Sequence, residues 1–163
     1  MDTHLSQAQK ERTQYLGSDL KAVYRIRDGR YEDVDVDTVQ VVRRGKRHAD
    51  LALASGVDNI IQAVIHRLKT CYGELAPLGH PDYGSRHNDL IGEPNTEHNR
   101  RLVKLYILQA LAREPRIEKI FRADIRYDRR LDPSRVDIVL DIKLGMIQET
   151  INLVVPFYFE VGA

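Results

Sequence analysis

The chain has 163 residues, of which 42% are hydrophobic and 30% charged, and its formal net charge is +1. This length allows one domain with an apolar core plus an appendage. The small net charge argues against a whole-protein field that attracts nucleic acid or an anionic membrane. No apolar run is long enough to span a bilayer, and the N-terminus lacks the features of a secretory signal, so we expect synthesis in the cytoplasm. Cys71 is the only cysteine, which excludes an internal disulfide.

The first third of the sequence contains short strand patterns after a polar segment, residues 2–14, that is either a frayed helix or disordered. Alternation from Asp19 to Ile26 predicts one strand. The valines from Tyr31 to Val42 change register midway, which predicts either one bulged edge strand or two short pieces. The basic run at residues 43–47 is either a solvated turn that balances the preceding aspartates Asp33, Asp35 and Asp37, or a contact for phosphate or a partner.

Two amphipathic helices are predicted in the middle of the chain. The first begins after Ser55-Gly56 and ends before Gly73, and its apolar residues recur at helical spacing: Val57, Ile60, Ile61, Val64, Leu68 and Cys71. A loop rich in glycine and proline follows, with Tyr83 as its anchor in the core, and then a helical turn over residues 86–91. The second helix is capped by Thr96, with Asn99 three residues later. Its predicted buried stripe is Leu102, Val103, Tyr106, Ala110 and Leu111.

The second helix ends in an unusual way at Glu114-Pro115-Arg116. A glutamate at a helix C-terminus is disfavoured by the helix dipole, by about 0.3–1 kcal/mol when exposed. Pro115 also moves Glu114 away from helical geometry. A residue that is locally unfavourable in this way is expected at a functional site. Alternatively, Glu114 pairs at the surface with Arg113, Arg116 or Lys119.

The last third of the sequence predicts an antiparallel sheet. Strands are expected over residues 117–127 and 136–144, and a third strand from Ile147 to Val155 completes a C-terminal hairpin around Gly145. The apolar end at residues 153–159 is a liability as an open edge, so either the domain's own helices or another chain must cover it. The predicted class is α+β, with two main helices packed on one face of a small, mainly antiparallel sheet.

No catalytic, cofactor or metal site is expected from the sequence. His80, Asp82 and His87 lack the spacing of zinc ligands. Carboxylates such as Glu74, Asp82, Glu93 and Glu97 could form a glycosidase pair, but tryptophan is absent and no aromatic sugar cleft accompanies them. Phosphate-binding loops and nucleophile motifs are also absent. Nucleic-acid binding lacks a basic face interleaved with aromatic residues.

Six short segments resemble, in order and spacing, the baseplate wedge family of contractile-tailed phages. This family is often labelled lysozyme-like and includes the baseplate component of type VI secretion and related contractile injection systems. The segments are 55–63 (SGVDNIIQA), 67–70 (RLKT), 73–75 (GEL), 78–86 (LGHPDYGSR), 90–94 (LIGEP) and 114–116 (EPR). The resemblance implies a family domain over residues 50–163 behind an N-terminal extension, residues 1–49, with short strands.

The resemblance also implies a structural role rather than an enzymatic one. It predicts a sheath initiator present in multiple copies in a sixfold virion baseplate or an equivalent particle. The implied partners are the tail sheath protein, baseplate wedge proteins, and tube or hub proteins. Glu114, Pro115 and Arg116 would contact the wedge, and Ile151, Leu153 and Val155 would lie on the strand offered to the sheath. A muramidase acting on peptidoglycan and an adaptor for a host protein are the alternatives.

Overall fold

The computed structural model describes Glu11 and residues 14–27, 30–145 and 150–160, with backbone pairing alone for 24–27 and 30–34. Most of the polar segment 2–14 lies outside these residues. The helices are α1 (Val57–Lys69) and α2 (Glu97–Leu111), with 3₁₀ turns at Ala76–Leu78 and Arg86–Leu90. The strands are β1 (Ser18–Leu20), β2 (Ala22–Arg27), β3 (Arg30–Val36), β4 (Thr38–Arg43), β5 (Lys46–Leu51), β6 (Leu53–Ser55), β7 (Ile117–Arg126), β8 (Arg135–Leu144) and β9 (Thr150–Tyr158). All of these strands pair antiparallel, and the predicted α+β class is confirmed.

The described residues fall into two compact units, which divide between residues 62 and 63. This division reflects packing within the chain and does not test the domain boundary predicted between residues 49 and 50, which stays a prediction.

Three two-stranded ribbons make up the strands described in the first unit: β1 with β6, β2 with β3, and β4 with β5. The chain changes ribbon at Lys21, Asp37 and Ala52, and these three backbones join in a ring. The N–H of Lys21 donates to Ala52 at 2.9 Å, that of Asp37 to Lys21 at 2.8 Å, and that of Ala52 to Asp37 at 2.9 Å. The single strand predicted from Asp19 to Ile26 is therefore wrong, because Lys21 leaves the ladder to close this ring. For residues 31–42, the alternative of two short pieces is confirmed.

The basic run forms the tip of the β4–β5 hairpin. Arg44 and Gly45 both have positive φ, 51° and 74°, which is the geometry of a tight hairpin turn whose twist matches the strands. Arg43 pairs with Asp50 across the ribbon at 2.7 Å. Asp37, which the sequence suggested as a balance for the run, is instead paired with Lys21 at 2.8 Å. The run is an exposed turn, as one alternative predicted, but its ionic partner comes from the returning strand.

The first turns of α1 hold the first unit through two buried amides. Asn59 donates from Nδ2 to the Leu16 carbonyl at 2.8 Å. Gln62 donates from Nε2 to the Leu20 carbonyl at 2.7 Å and accepts from the Ala22 N–H at 2.8 Å. Buried polar groups are costly without partners, so these bonds explain why amides occupy buried positions here.

In the second unit, β8 is the central strand of a three-stranded sheet with the order β7-β8-β9. Its side chains at Val136, Ile138, Leu140, Ile142 and Leu144 are almost completely buried. Helix α2 buries Val103, Ala110 and Leu111, as predicted, and also Ile107, while Leu102 and Tyr106 are half-buried. Thr96 caps this helix by accepting the Asn99 N–H at 3.1 Å, as predicted.

The loop between the helices is closed on itself by backbone bonds. Ser85 donates to the Thr70 carbonyl at 2.9 Å, and Gly73 donates to the Tyr83 carbonyl at 3.0 Å. Gly84 makes this closure possible, since it has a φ of +97° and a Cβ there would lie 2.4 Å from the Cys71 carbonyl oxygen. Only glycine fits such a close approach of two backbones.

We expect Gly84→Ala to lower the free energy of unfolding by about 2 kcal/mol or more, because it combines a strained φ with a backbone clash. The measurement is urea denaturation followed by circular dichroism. Gly92→Ala is the matched control, since Gly92 has a φ of +93° but no atom within 4 Å of its would-be Cβ. Equal losses in the two variants would show that the close approach at Gly84 contributes nothing.

Candidate functional site

Glu114 lies in the interior of the second unit, not on its surface. The side chain is only 5% exposed. Its Oε1 accepts from Arg116 Nε at 2.5 Å, and its Oε2 accepts from Arg67 Nη2 at 3.3 Å. Pairing with Arg116 was one of the alternatives predicted for Glu114, but the expected surface setting is wrong. Pro115 is exposed and Arg116 is partly buried, so these two residues carry the accessible part of the motif.

Arg67 is the residue that the sequence analysis missed at this cluster. It lies near the end of α1, is 8% exposed, and its guanidinium stacks over the Tyr83 ring at 4.5 Å from the centroid. It falls three residues after Val64 on the apolar stripe, where a charge requires a buried counter-charge. The sequence contained a signal for this pair: an arginine on the apolar stripe of one helix and a glutamate at the C-terminus of another.

The cluster keeps Glu114 ionised. Burial acts to raise the pKa of the Glu114 carboxyl, but the hydrogen bond and charge of Arg116, together with the charge of Arg67, outweigh it and leave the pKa below its usual value. Three elements meet here: the end of α1, the loop at Tyr83 and the connection from α2 to β7. Glu114 therefore has a structural role within the unit, and any contact with a partner stays a prediction.

We expect Glu114→Gln to lower the free energy of unfolding by about 3–5 kcal/mol, because it leaves the buried Arg67 charge uncompensated. Urea denaturation at pH 7 measures this change. Glu97→Gln is the control, since Glu97 and Arg101 form an exposed i,i+4 pair worth about 0.3–0.5 kcal/mol. A loss below about 1 kcal/mol for Glu114→Gln would contradict the structural role.

The residues predicted for the sheath contact lie on β9 and face the core. Ile151, Leu153 and Val155 are opposite the buried Ile142, Leu140 and Ile138 of β8. Ile151 is buried, and Leu153 and Val155 are half-buried. The exposed side chains of this strand are the alternate ones, among them Asn152 and Val154. A partner strand would therefore meet the backbone edge of β9 and these alternate side chains.

The two edges of the sheet differ in their fitness for strand addition. Strand β9 pairs with β8 in unbroken register over nine residues and carries no charged side chain. Strand β7 has two register irregularities, and five of its ten residues are charged: Glu118, Lys119, Arg122, Asp124 and Arg126. Charges and bulges are the features that protect an edge from pairing. The β9 edge is the unprotected one, and Pro156, which lacks an N–H, limits its pairable run to residues 150–155.

His87 joins the 3₁₀ turn to β9 from inside the core. Its Nδ1 is 2.7 Å from Ser85 Oγ, and its ring meets Phe157 edge-on at 5.4 Å. Burial lowers the pKa of His87 to about 4, against a smaller opposite effect of Asp89. His80 and Asp82 line a groove that His87 does not line, and no cluster of three metal-ligating side chains occurs among the described residues.

Stability should fall as the pH drops from about 6.5 to 4. In this window the His87 imidazole is protonated in the unfolded chain but stays neutral in the folded one. Up to about 3 kcal/mol of unfolding free energy is therefore lost. Urea denaturation at pH 7, 5.5 and 4.5 measures the slope, which His87→Gln should largely remove. Glu114 acts separately: burial raises the pKa of its carboxyl, but Arg116 and Arg67 lower it by more, so its contribution to stability is lost only as the pH falls below the ordinary range of a carboxyl. An unchanged slope in the variant would contradict this assignment.

No protein-family model and no curated protein matches the sequence. A crystal structure that matches is described as a "putative tail lysozyme" from Geobacter sulfurreducens, at 23% identity and a TM-score of 0.58. The match covers 70% of this chain and 100% of that one. The two proteins share a fold.

The fold shared with the Geobacter protein is the only property that this likeness shows, because 23% identity is too low to transfer an activity. No helix in the described ranges has the length and apolar character needed to cross a bilayer. The candidate sites of this chain are the Glu114 cluster and the β9 edge, and both are defined by its own geometry.

Proposed function

We propose that this chain is a structural component of a contractile-tail baseplate, which links wedge proteins to the sheath and starts sheath polymerisation. The single observation that carries the proposal is the β9 edge, which is uncharged, free of bulges and unpaired among the described strands. Backbone groups on such an edge provide affinity for an added strand, and alternate side chains set its register. The fold shared with a protein described as a tail lysozyme supports this setting.

The proposal includes a location in the virion baseplate or an equivalent particle, in several copies around a sixfold axis. The wedge contact would use Pro115 and the accessible flank of Arg116. Glu114 would act indirectly, by holding Arg116 through its carboxylate. Replacing Glu114 by alanine would therefore confuse loss of folding with loss of the wedge contact.

A muramidase is the competing function, since the related structure has lysozyme in its name. A glycosidase needs a carboxylic acid whose raised pKa keeps it protonated. Glu114 has the opposite property, because its two arginine partners lower its pKa. Glu114 is therefore unsuited to the role of the general acid. The proposal that the chain is not an enzyme would be contradicted by clearing of a peptidoglycan suspension by the purified protein.

We expect Val154→Lys to block nucleation of sheath on baseplates, because lysine on an edge strand opposes strand addition. The readout is the fraction of tails with extended sheath in electron micrographs. Phe121→Lys on β7 is the matched control: both residues are exposed apolar side chains, at 49% and 57%.

Normal sheaths with Val154→Lys would overturn the β9 role, and loss of sheath with Phe121→Lys would move the role to β7. Truncation after Asn152 is a poorer test, because it removes Phe157 and Phe159 from the core.

A further inference from the structure

A groove beside the Glu114 cluster has the features of a binding site that the β9 edge does not require. Its volume is about 510 Å³, and it is lined by Arg67, Gly79, His80, Pro81, Asp82, Tyr83 and Arg113. Arg113 also lines a second groove of about 400 Å³, together with Tyr72, Arg86 and Tyr106. Both grooves lie within the second compact unit.

The first groove is lined by Arg67, whose guanidinium has one N–H without a hydrogen-bond acceptor among the described residues. Arg67 is 8% exposed, and its Nε is buried with no acceptor in the described part of the chain. An unpaired buried donor costs about 1–3 kcal/mol, and more when the group is charged, so each such case in a folded protein calls for an explanation. The Nε itself is enclosed, so a carboxylate bound in the groove would act on the Arg67 guanidinium through its charge and through the small part of the side chain that lines the groove.

The charge around the groove is positive. Arg67, Arg113 and Arg116 meet two carboxylates, Asp82 and Glu114, so one positive charge is left over. The Asp82 carboxylate already accepts from Tyr72 at 2.8 Å, and Arg113 donates only to the Asp82 backbone carbonyl at 3.3 Å. Arg113 therefore carries a charge that no carboxylate neutralises among its described contacts.

Arginines stacked on tyrosines hold their planar forks in place before a ligand arrives. Arg67 stacks on Tyr83, Arg113 on Tyr72 at 5.0 Å, and Arg86 on Tyr106 at 5.1 Å. Tyrosine and arginine are also the residue types enriched at the energetic centres of protein interfaces. Two adjoining grooves that share Arg113 suit an extended chain better than a single small anion.

We infer that these grooves bind an acidic peptide segment of a protein partner, with one of its carboxylates between Arg67 and Arg113. The inference goes beyond the proposed function and does not depend on it, since neither the sheath nor β9 is involved.

The test uses ¹⁵N-labelled full-length protein titrated with N-acetylated tetraglutamate amide. We expect saturable shifts of the Nε–Hε signals of Arg67 and Arg113 and of the amides of residues 79–83, with a Kd on the order of 1 mM or lower. Arg113→Gln should weaken binding at least tenfold. Arg113 is exposed, so this variant should keep the fold, which the remaining amide spectrum verifies. Arg101→Gln is the matched control: Arg101 is an exposed arginine on α2, whereas Arg113 lies in the turn after that helix, and the control variant should bind as the unmodified chain does.

Three outcomes would overturn the inference. One is an equal response to inorganic phosphate at the same concentration, which would reduce the site to a general anion site. Another is a set of shifts centred on the basic hairpin tip at Arg44, Lys46 and Arg47. The third is unchanged affinity in Arg113→Gln. Tetraglutamine amide should cause no shifts, since it keeps the length and loses the charge.

Discussion

Arg67 and Glu114 are 47 residues apart in the sequence and meet in the interior of the second unit. Each is a charge that could not remain buried alone, because desolvation of an unpaired ion costs several kcal/mol. Together with Arg116 and the Tyr83 ring, they join the end of α1, the long loop and the start of β7. The geometry of the grooves depends on this cluster, because it fixes the Arg67 fork and the loop that lines them.

This arrangement changes how the Glu114-Pro115-Arg116 motif is understood. The glutamate is unfavourable at a helix C-terminus by local rules, but here its carboxylate points inward and pairs with the guanidinium groups of Arg67 and Arg116. The turn is also bonded to the sheet, since the Gly145 N–H donates to the Arg116 carbonyl at 3.0 Å. A rigid turn of this kind can present Pro115 and the flank of Arg116 to a partner without itself being the source of affinity.

The two edges of the sheet differ: β7 is protected against strand addition and β9 is not. Charges and register irregularities on β7 discourage pairing, while β9 keeps a regular backbone and uncharged side chains. The inner face of β9 packs Ile151 and Phe157 into the core, so the strand is held in place while no described strand pairs with its outer edge. One strand can thus complete the core and still offer an edge.

The sequence by itself determined the elements whose signals are local. Helical spacing predicted α1 and α2, strict alternation predicted β8, and the Thr96 cap and the helical turn before it followed from neighbouring residues. The sequence could not show the break at Lys21, because the ring with Asp37 and Ala52 joins residues far apart in the chain. It also could not decide between a surface and a buried Glu114, or between the two faces of β9. Tertiary structure decided these points, since burial and charge pairing are set by contacts between distant residues rather than by the period of the pattern.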